Sequence, residues 1–227
     1  MELERPTGET GTMTAPQTLV LVPTELELNR LKDAGGFPPE RTWTAICGFG
    51  VAAAAARTAD LLARHEPQEV LLVGIAGAYD TDVHPTGTAL AFDSVAAHGI
   101  GAGEGESFQS PSALGFPQWP ASDGNDDVEE HLELATPTGD GLLLTTCAAS
   151  DTPERAAWLH ERYSGALAED MEGFGVALAC QLASTPCWIV RGISNQVGDR
   201  DPAHWRIPAA LTAARRRALE LLGVDPE

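Results

Sequence analysis

Residues 168–195, AEDMEGFGVALACQLASTPCWIVRGISN, carry an acidic head, an apolar helical run and a β-type run in immediate succession. Glu169, Asp170, Met171, Glu172 and Gly173 stand directly before the helix expected over 173–182, whose apolar residues suit a buried helix. The strand expected over 186–192 then runs into Arg191, Gly192, Ile193, Ser194 and Asn195. Open α/β sheets gather their ligand-binding groups at such strand ends, so both junctions are candidate sites.

Working outward, short β-type runs alternate with helical patterns. Strands are expected at 19–22, 42–47, 70–73, 88–95 and 142–147, and helices at 25–31, 51–64, 153–163 and 208–222, with a glycine-rich turn at 74–77. This alternation predicts an α/β fold with a central mixed β-sheet flanked by helices. A length of 227 residues suits a single domain. Residues 1–16 lack apolar periodicity and read as a disordered leader, leaving 17–227 as the folded domain. Within it, 98–133 is rich in Gly, Pro, Ser and Asp and reads as a long loop insertion.

Thirty-three acidic residues against 14 basic ones give a net charge of −19, which repels nucleic-acid backbones and anionic membranes and favours a small-molecule substrate. Cys47, Cys147, Cys180 and Cys187 have no ligand-like spacing, as expected of a reduced, cytoplasmic protein. His65, His84, His131, His160 and His204 are likewise unspaced for a metal, and none is expected. No cofactor is expected either, because 74–77 lacks a full dinucleotide or P-loop pattern. Apolar stretches are too short to span a bilayer, and the first residues are acidic rather than export-like.

Each polar junction has an ordinary reading when taken singly. Glu25 and Glu27 suit the first turn of a helix, Arg191 suits a structural ion pair, and Ser194-Asn195 suits a turn. Three segments in combination, 168–195, LVPTELELNRL at 21–31 and VGIAGAY at 73–79, resemble the nucleoside phosphorylase and nucleosidase superfamily in residue type, order and spacing. That resemblance implies a nucleoside phosphorylase-like fold and a set of roles. Glu172 would grip the ribose hydroxyls, for which an ionised carboxylate can accept from two O–H donors. Met171 would pack on the sugar, Arg191 and Ser194 would belong to the substrate-binding motif, and Asn195 would face N7 and the exocyclic group of a purine. Glu27, in preference to Glu25, would activate water for attack through an oxocarbenium-like transition state.

Phosphorylases of this superfamily hold phosphate with Arg and with Ser or Thr, whereas the matching positions here are Leu72 and Ile75. Water is therefore the expected nucleophile. A carboxamide at Asn195 can donate to the N7 and O6 acceptors of a 6-oxopurine, which favours hypoxanthine as leaving group. HGIGAGEGESFQSPSALGFP at 98–117 and GDRDPAHWRIPAAL at 198–211 resemble futalosine hydrolases, which release hypoxanthine from futalosine and leave dehypoxanthine futalosine for the alternative menaquinone pathway. A methylthioadenosine/adenosylhomocysteine-type nucleosidase is the runner-up. The resemblance further implies a homo-oligomer. For the aromatic carboxylate beyond C5′, Arg200, Arg206 and His98 are candidate donors and Phe108 and Trp205 candidate lining residues.

Overall fold

Strand β1 (Thr18–Val22) is buried along its whole length and pairs in parallel with β2 (Thr42–Ile46) on one side and β3 (Glu69–Ala78) on the other. A continuous apolar run is what a strand covered on both faces requires. In this computed structural model, which describes residues 18–120, 127–136 and 139–226, alternate residues of β1 face two different layers. Leu19 and Leu21 enter a core with Leu72, Phe174 and Ile189, while Val20 and Val22 join Leu71, Val190, Leu211 and Ala214 on the other face. The leader expected at 1–16 lies outside the described residues.

Four helices supply the two layers. α2 (Val51–His65) packs on α5 (Gly173–Leu182) over one face. Their contact is close: a Cβ on Gly175 would stand 2.3 Å from the Val51 carbonyl oxygen. α1 (Glu25–Asp33) and α6 (Ile207–Leu221) pack together over the other. A third apolar cluster forms under α4 (Pro153–Arg162), where Leu159 meets Leu144 and Ala166.

The sheet has nine strands among the described residues, running β2-β1-β3-β8-β7-β5-β6, with β9 paired to β3 and β4 off that path. It is mixed, as the sequence predicts, and the molecule is one α/β domain. Here β4 is Ala89–Phe92, β5 Ser94–His98, β6 His131–Glu133, β7 Leu142–Thr146, β8 Ala166–Asp170 and β9 Cys187–Gln196.

Three departures from the sequence expectations bear on function. The turn expected at 74–77 is instead the second half of β3, paired in parallel with β9 as far as Ala78. Its glycines supply close approach rather than a bend, since a Cβ on Gly74 would meet the Arg191 side chain at 2.2 Å and that of Glu27 at 2.8 Å. The strand expected over 88–95 is two strands broken at Asp93: β4 runs antiparallel to β9, and β5 moves across to lie parallel to β7. The break is fixed by Asp140, whose carboxylate accepts from Ala91 N at 2.8 Å, and by Gly139, where a Cβ would stand 2.3 Å from Asp93 N. β8 was not expected, because Glu169 and Asp170 read as loop residues, yet both are buried.

The insertion at 98–133 carries local structure. It holds a 3-10 turn at Gly105–Ser107, a helical turn α3 (Pro111–Leu114) capped by Ser110, the strand β6 and two isolated bridges, Ala102 to Gln109 and Trp119 to Val128. No helix among the described residues is long and apolar enough to cross a membrane.

Candidate active site

The middle of β9 places Arg191 inside the molecule with 0% of its surface exposed. Its Nε and Nη2 donate to Oδ2 of Asp170, the last residue of β8, and Nη2 also reaches Oε2 of Glu172 at 3.3 Å. Asp170 is otherwise satisfied by Thr145 Oγ1 at 2.6 Å and by Gly173 N at 2.8 Å, which ties β7, β8 and the start of α5 together. Glu172 stands just before α5, and its Oε1 accepts from Gly50 N at 2.9 Å. Removing one partner of so buried an ion pair typically costs about 3–5 kcal/mol, so this cluster also holds the fold.

Glu27 approaches from the first turn of α1. Thr24 caps that helix, accepting from Glu27 N at 3.3 Å, and its hydroxyl donates to Glu27 Oε2 at 2.6 Å. Thr24-x-x-Glu27 has the spacing of a capping box, but the Glu27 carboxylate turns inward and takes the Ile75 N–H at 3.0 Å. Glu27 is buried and its neighbour Glu25 is exposed, so of the two only Glu27 faces the cluster. Arg191 Nη1 has no hydrogen-bond partner among the described residues. This nitrogen and Glu27 Oε1 converge beside Gly74, where only the missing side chain leaves them space.

The electrostatics follow from burial. Burial pushes the Glu172 carboxyl up to about 7, with Asp170 and Glu27 adding to the rise and Arg191 and the Gly50 N–H opposing it. For Arg191 burial favours the neutral form, but the carboxylates of Asp170, Glu172 and Glu27 outweigh it and raise the pKa. Cys47 lies in the same field. Burial pushes its thiol up to about 12, with Arg191 opposing the rise and Glu172 and Glu27 adding to it, and the group is a packed, unreactive thiol.

Asn195 lies near the end of β9. Its Nδ2 donates to Gln196 O at 2.8 Å and reaches Asp199 O at 3.5 Å, while Oδ1 accepts from Ser194 Oγ at 2.7 Å. Reversing the carboxamide would set its oxygen against the Gln196 carbonyl, so this orientation is fixed. The Asp199 contact is at the limit of hydrogen-bond length, which leaves one N–H to offer a ligand. Met171 is half-buried between Asp170 and Glu172. Thus the structure brings Glu27, Glu172 and Arg191 into one cluster and sets Ser194 and Asn195 on the same strand end as Arg191.

The candidates for the far side of the sugar separate. His98 and Phe108 are both buried and packed on each other, ring centroids 4.5 Å apart, with Trp158 and Tyr163 closing the group. They hold the insertion onto α4 and present no free face. Burial, with Arg155 and Arg162 nearby, lowers the His98 pKa to about 4 and keeps the ring neutral. Arg200 is exposed and lies 4.9 Å over the Trp205 ring, whose Nε1 donates to Asp199 O, beside the Asn195 turn. Arg206 is exposed and only its backbone N–H engages this region, donating to Ser194 O. Sequence reasoning missed Thr24 and Asp170 as positioning groups, although the capping-box spacing pointed to the first. A cleft lined by Glu133, Ala177, Cys180 and Cys187 opens at the opposite end of α5 and has no part in this site.

Leu72 is wholly buried in the core, and Ile75 offers the site only its backbone N–H. The strand end where phosphate would sit therefore presents no hydroxyl or guanidinium of its own. The family model of the phosphorylase superfamily matches residues 40–223. Futalosine hydrolase of Streptomyces coelicolor is 37% identical over 205 residues, covering 88% of this chain and 83% of that protein. The chain belongs to the phosphorylase superfamily and, within it, to the futalosine hydrolases. A 5'-methylthioadenosine/S-adenosylhomocysteine nucleosidase of Marinomonas is similar at 25% identity, with 68% of each chain covered. The solved futalosine hydrolase of Helicobacter pylori shares the fold with a TM-score of 0.73, at 16% identity over 92% of this chain and 98% of that one.

Proposed function

We propose that the chain hydrolyses the N-glycosidic bond of futalosine, releasing hypoxanthine and leaving dehypoxanthine futalosine for the alternative menaquinone route. The observation that carries this reading is the convergence of Glu27 Oε1 and the unpartnered Arg191 Nη1 beside Gly74, next to Glu172 and with no phosphate donor at Leu72 or Ile75. A water molecule that approaches from the sugar side can donate one proton to the Glu27 carboxylate, keeping a lone pair for the sugar.

In this mechanism ionised Glu172 accepts from the two ribose hydroxyls and Met171 packs on the ring. The C1′–N9 bond lengthens towards an oxocarbenium-like sugar, water adds to C1′ and its proton passes to Glu27. Hypoxanthine departs with its negative charge spread over the purine, where the N–H of Asn195 stabilises N7 or O6 without having to deliver a proton. Ser194 and the Gln196 carbonyl keep that amide in its donor orientation. Arg191 acts from beneath, holding Asp170 and Glu172 in place. Arg200, which lies over the Trp205 ring beside the Asn195 turn, is the candidate donor to the substrate carboxylate.

We further infer a homo-oligomer working in the cytoplasm. Leu26 and Phe49, next in sequence to Glu27 and Gly50, are 56% and 66% exposed and offer apolar surface to a second copy, and the four cysteines are free. Turnover in 18O-labelled water tests the reaction: one heavy oxygen on the anomeric carbon of the sugar product is expected, with a rate independent of phosphate. Release of base only when phosphate is present would contradict it.

A further inference from the structure

Two thiols that the mechanism does not use stand where α5 turns into β9. Cys180 lies in the last turn of α5, and Cys187 is the first residue of β9. Side chains alternate along a strand: Cys187, Ile189 and Ile193 enter one core layer, while Trp188 and Val190 enter the other. From α5, Val176, Ala177 and Cys180 point into the same layer as Cys187, at the spacing of one helical face. The turn between the two cysteines is tight. Thr185 N donates to Cys180 O at 2.9 Å, Ala183 N donates to Ala179 O at 3.2 Å, and Ser184 takes a left-handed φ of 51°. Cys187 is held from its other side by Ala135 N, which donates to its carbonyl at 3.0 Å.

Helix and strand thus bring the two side chains together, and the Cys180 thiol is hydrogen-bonded to Cys187. That bond, with burial and the Cys187 charge adding to it, holds the Cys180 thiol well above the usual range, so Cys180 keeps its proton and directs it at the neighbouring sulfur. Access is unequal. Cys180 has none of its surface exposed and Cys187 has 6%, and both line a cleft of about 320 Å³ with Glu133, Ala177 and Thr185. Cys47, by contrast, turns its thiol to the Gly48 carbonyl. Cysteines serving only as small apolar groups require neither a thiol-to-thiol contact nor an opening beside it.

We propose that Cys180 and Cys187 form a redox-modification site: a hydroperoxide entering the cleft converts the pair to a disulfide that clamps the last turn of α5 to the start of β9, and thiol reductants restore the pair. The Cys187 sulfur, as thiolate, attacks one peroxide oxygen; the O–O bond breaks, water leaves and a sulfenic acid remains. The Cys180 sulfur then attacks that sulfur, the S–S bond forms, the S–O bond breaks, and the hydroxide leaves as water with the Cys180 proton. In sum, two thiols give up two electrons and two protons to one hydrogen peroxide, and two waters result. The clamp lies at the opposite end of α5 from Glu172 and is independent of the hydrolase reading.

The test is treatment of the folded protein with hydrogen peroxide, then alkylation with iodoacetamide in denaturant, trypsin digestion and mass spectrometry. Residues 163–191 leave as one peptide, since no Lys or Arg lies between Arg162 and Arg191, and Cys180 and Cys187 are its only cysteines. The expected result is a shift of most of this peptide to a form two hydrogens lighter and free of alkyl groups, reversed by dithiothreitol, with a higher melting point in the disulfide form. In Cys180→Ser, the Cys187 sulfenic acid should accumulate and be trapped by dimedone at least about tenfold more than in the unmodified protein. If that variant does not fold, the peptide shift in the unmodified protein decides alone. A pair buried only for packing would stay doubly alkylated in the folded protein and oxidise only in urea, while the exposed Cys147 reacts in both. That result would overturn the proposal, as would a bond from either cysteine to Cys47 or Cys147 instead, a lower melting point in the disulfide form, or no trapping in folded Cys180→Ser.

Discussion

Lowering the pH from 8 to 6 should reduce kcat/KM on futalosine about tenfold, because Glu172 must be ionised to accept from both ribose hydroxyls. Its carboxyl is raised to about 7 by burial, with Asp170 and Glu27 adding to the effect. About one molecule in ten then carries the ionised form at pH 6, and about nine in ten at pH 8. The rate limb should rise with pH at a slope of one proton. The stability effect has the opposite sense. A carboxyl with its folded pKa raised binds its proton more tightly in the folded state, so this group favours folding at low pH and the benefit is lost as pH climbs from the ordinary glutamate range to about 7. The slope is about 1.4 kcal/mol per pH unit within that window. The assay is chromatographic release of hypoxanthine at substrate concentrations well below KM, across pH 5.5–8.5, for the unmodified protein and Glu172→Gln. Gln cannot titrate, so the variant should be slow and flat across the range. A limb of unchanged midpoint in Glu172→Gln would refute the assignment.

Three further substitutions follow from the geometry. Glu27→Gln keeps one acceptor for Ile75 N or Thr24 but cannot take a proton, so kcat should fall by about 10²–10⁴ while hypoxanthine binding is retained; a fall of less than tenfold would move the base elsewhere. Asn195→Asp replaces the donor with a second acceptor, and turnover of futalosine should fall about tenfold or more relative to its 6-amino analogue, measured as the ratio of kcat/KM values; equal losses would remove Asn195 from base selection. Gly74→Ala drives a methyl into Arg191 Nη1 and Glu27 Oε1. It should abolish turnover and destabilise the fold by about 1–3 kcal/mol in chemical denaturation, and a variant with normal rate would show that the placing of Arg191 and Glu27 beside Gly74 does not govern catalysis.

The alternation of apolar β-type runs with helical patterns made the layered sheet legible, and the apolar continuity of 19–22 and 70–73 marked the buried parallel strands. Gly74 to Gly77 misled because glycine signals a turn in sequence, whereas here the absent side chains let Arg191 and Glu27 approach the strand. β8 was hidden for a related reason: Glu169 and Asp170 look solvated until their partners Ser150, Tyr79, Thr145 and Arg191 arrive from other strands and loops. Glu27, Glu172, Arg191 and Asn195 could be picked out by motif, with their roles implied by the resemblance, but the contacts that hold them could not. That Arg191 is wholly buried and that Glu27, while still bonded to its cap Thr24, also takes the Ile75 N–H depend on contacts between segments distant in sequence, which no local pattern encodes. His98 and Phe108 stand in a segment that resembles the family, and their packing on each other, which depends on residues ten apart in a loop, is not legible in it.

The most direct measurement is to incubate the protein separately with futalosine, inosine and methylthioadenosine, with and without phosphate, and to quantify free base and sugar product chromatographically. Hypoxanthine released from futalosine, without phosphate and without comparable cleavage of inosine or methylthioadenosine, is the predicted result. Adenine released from methylthioadenosine in preference, or any release that requires phosphate, would contradict the account.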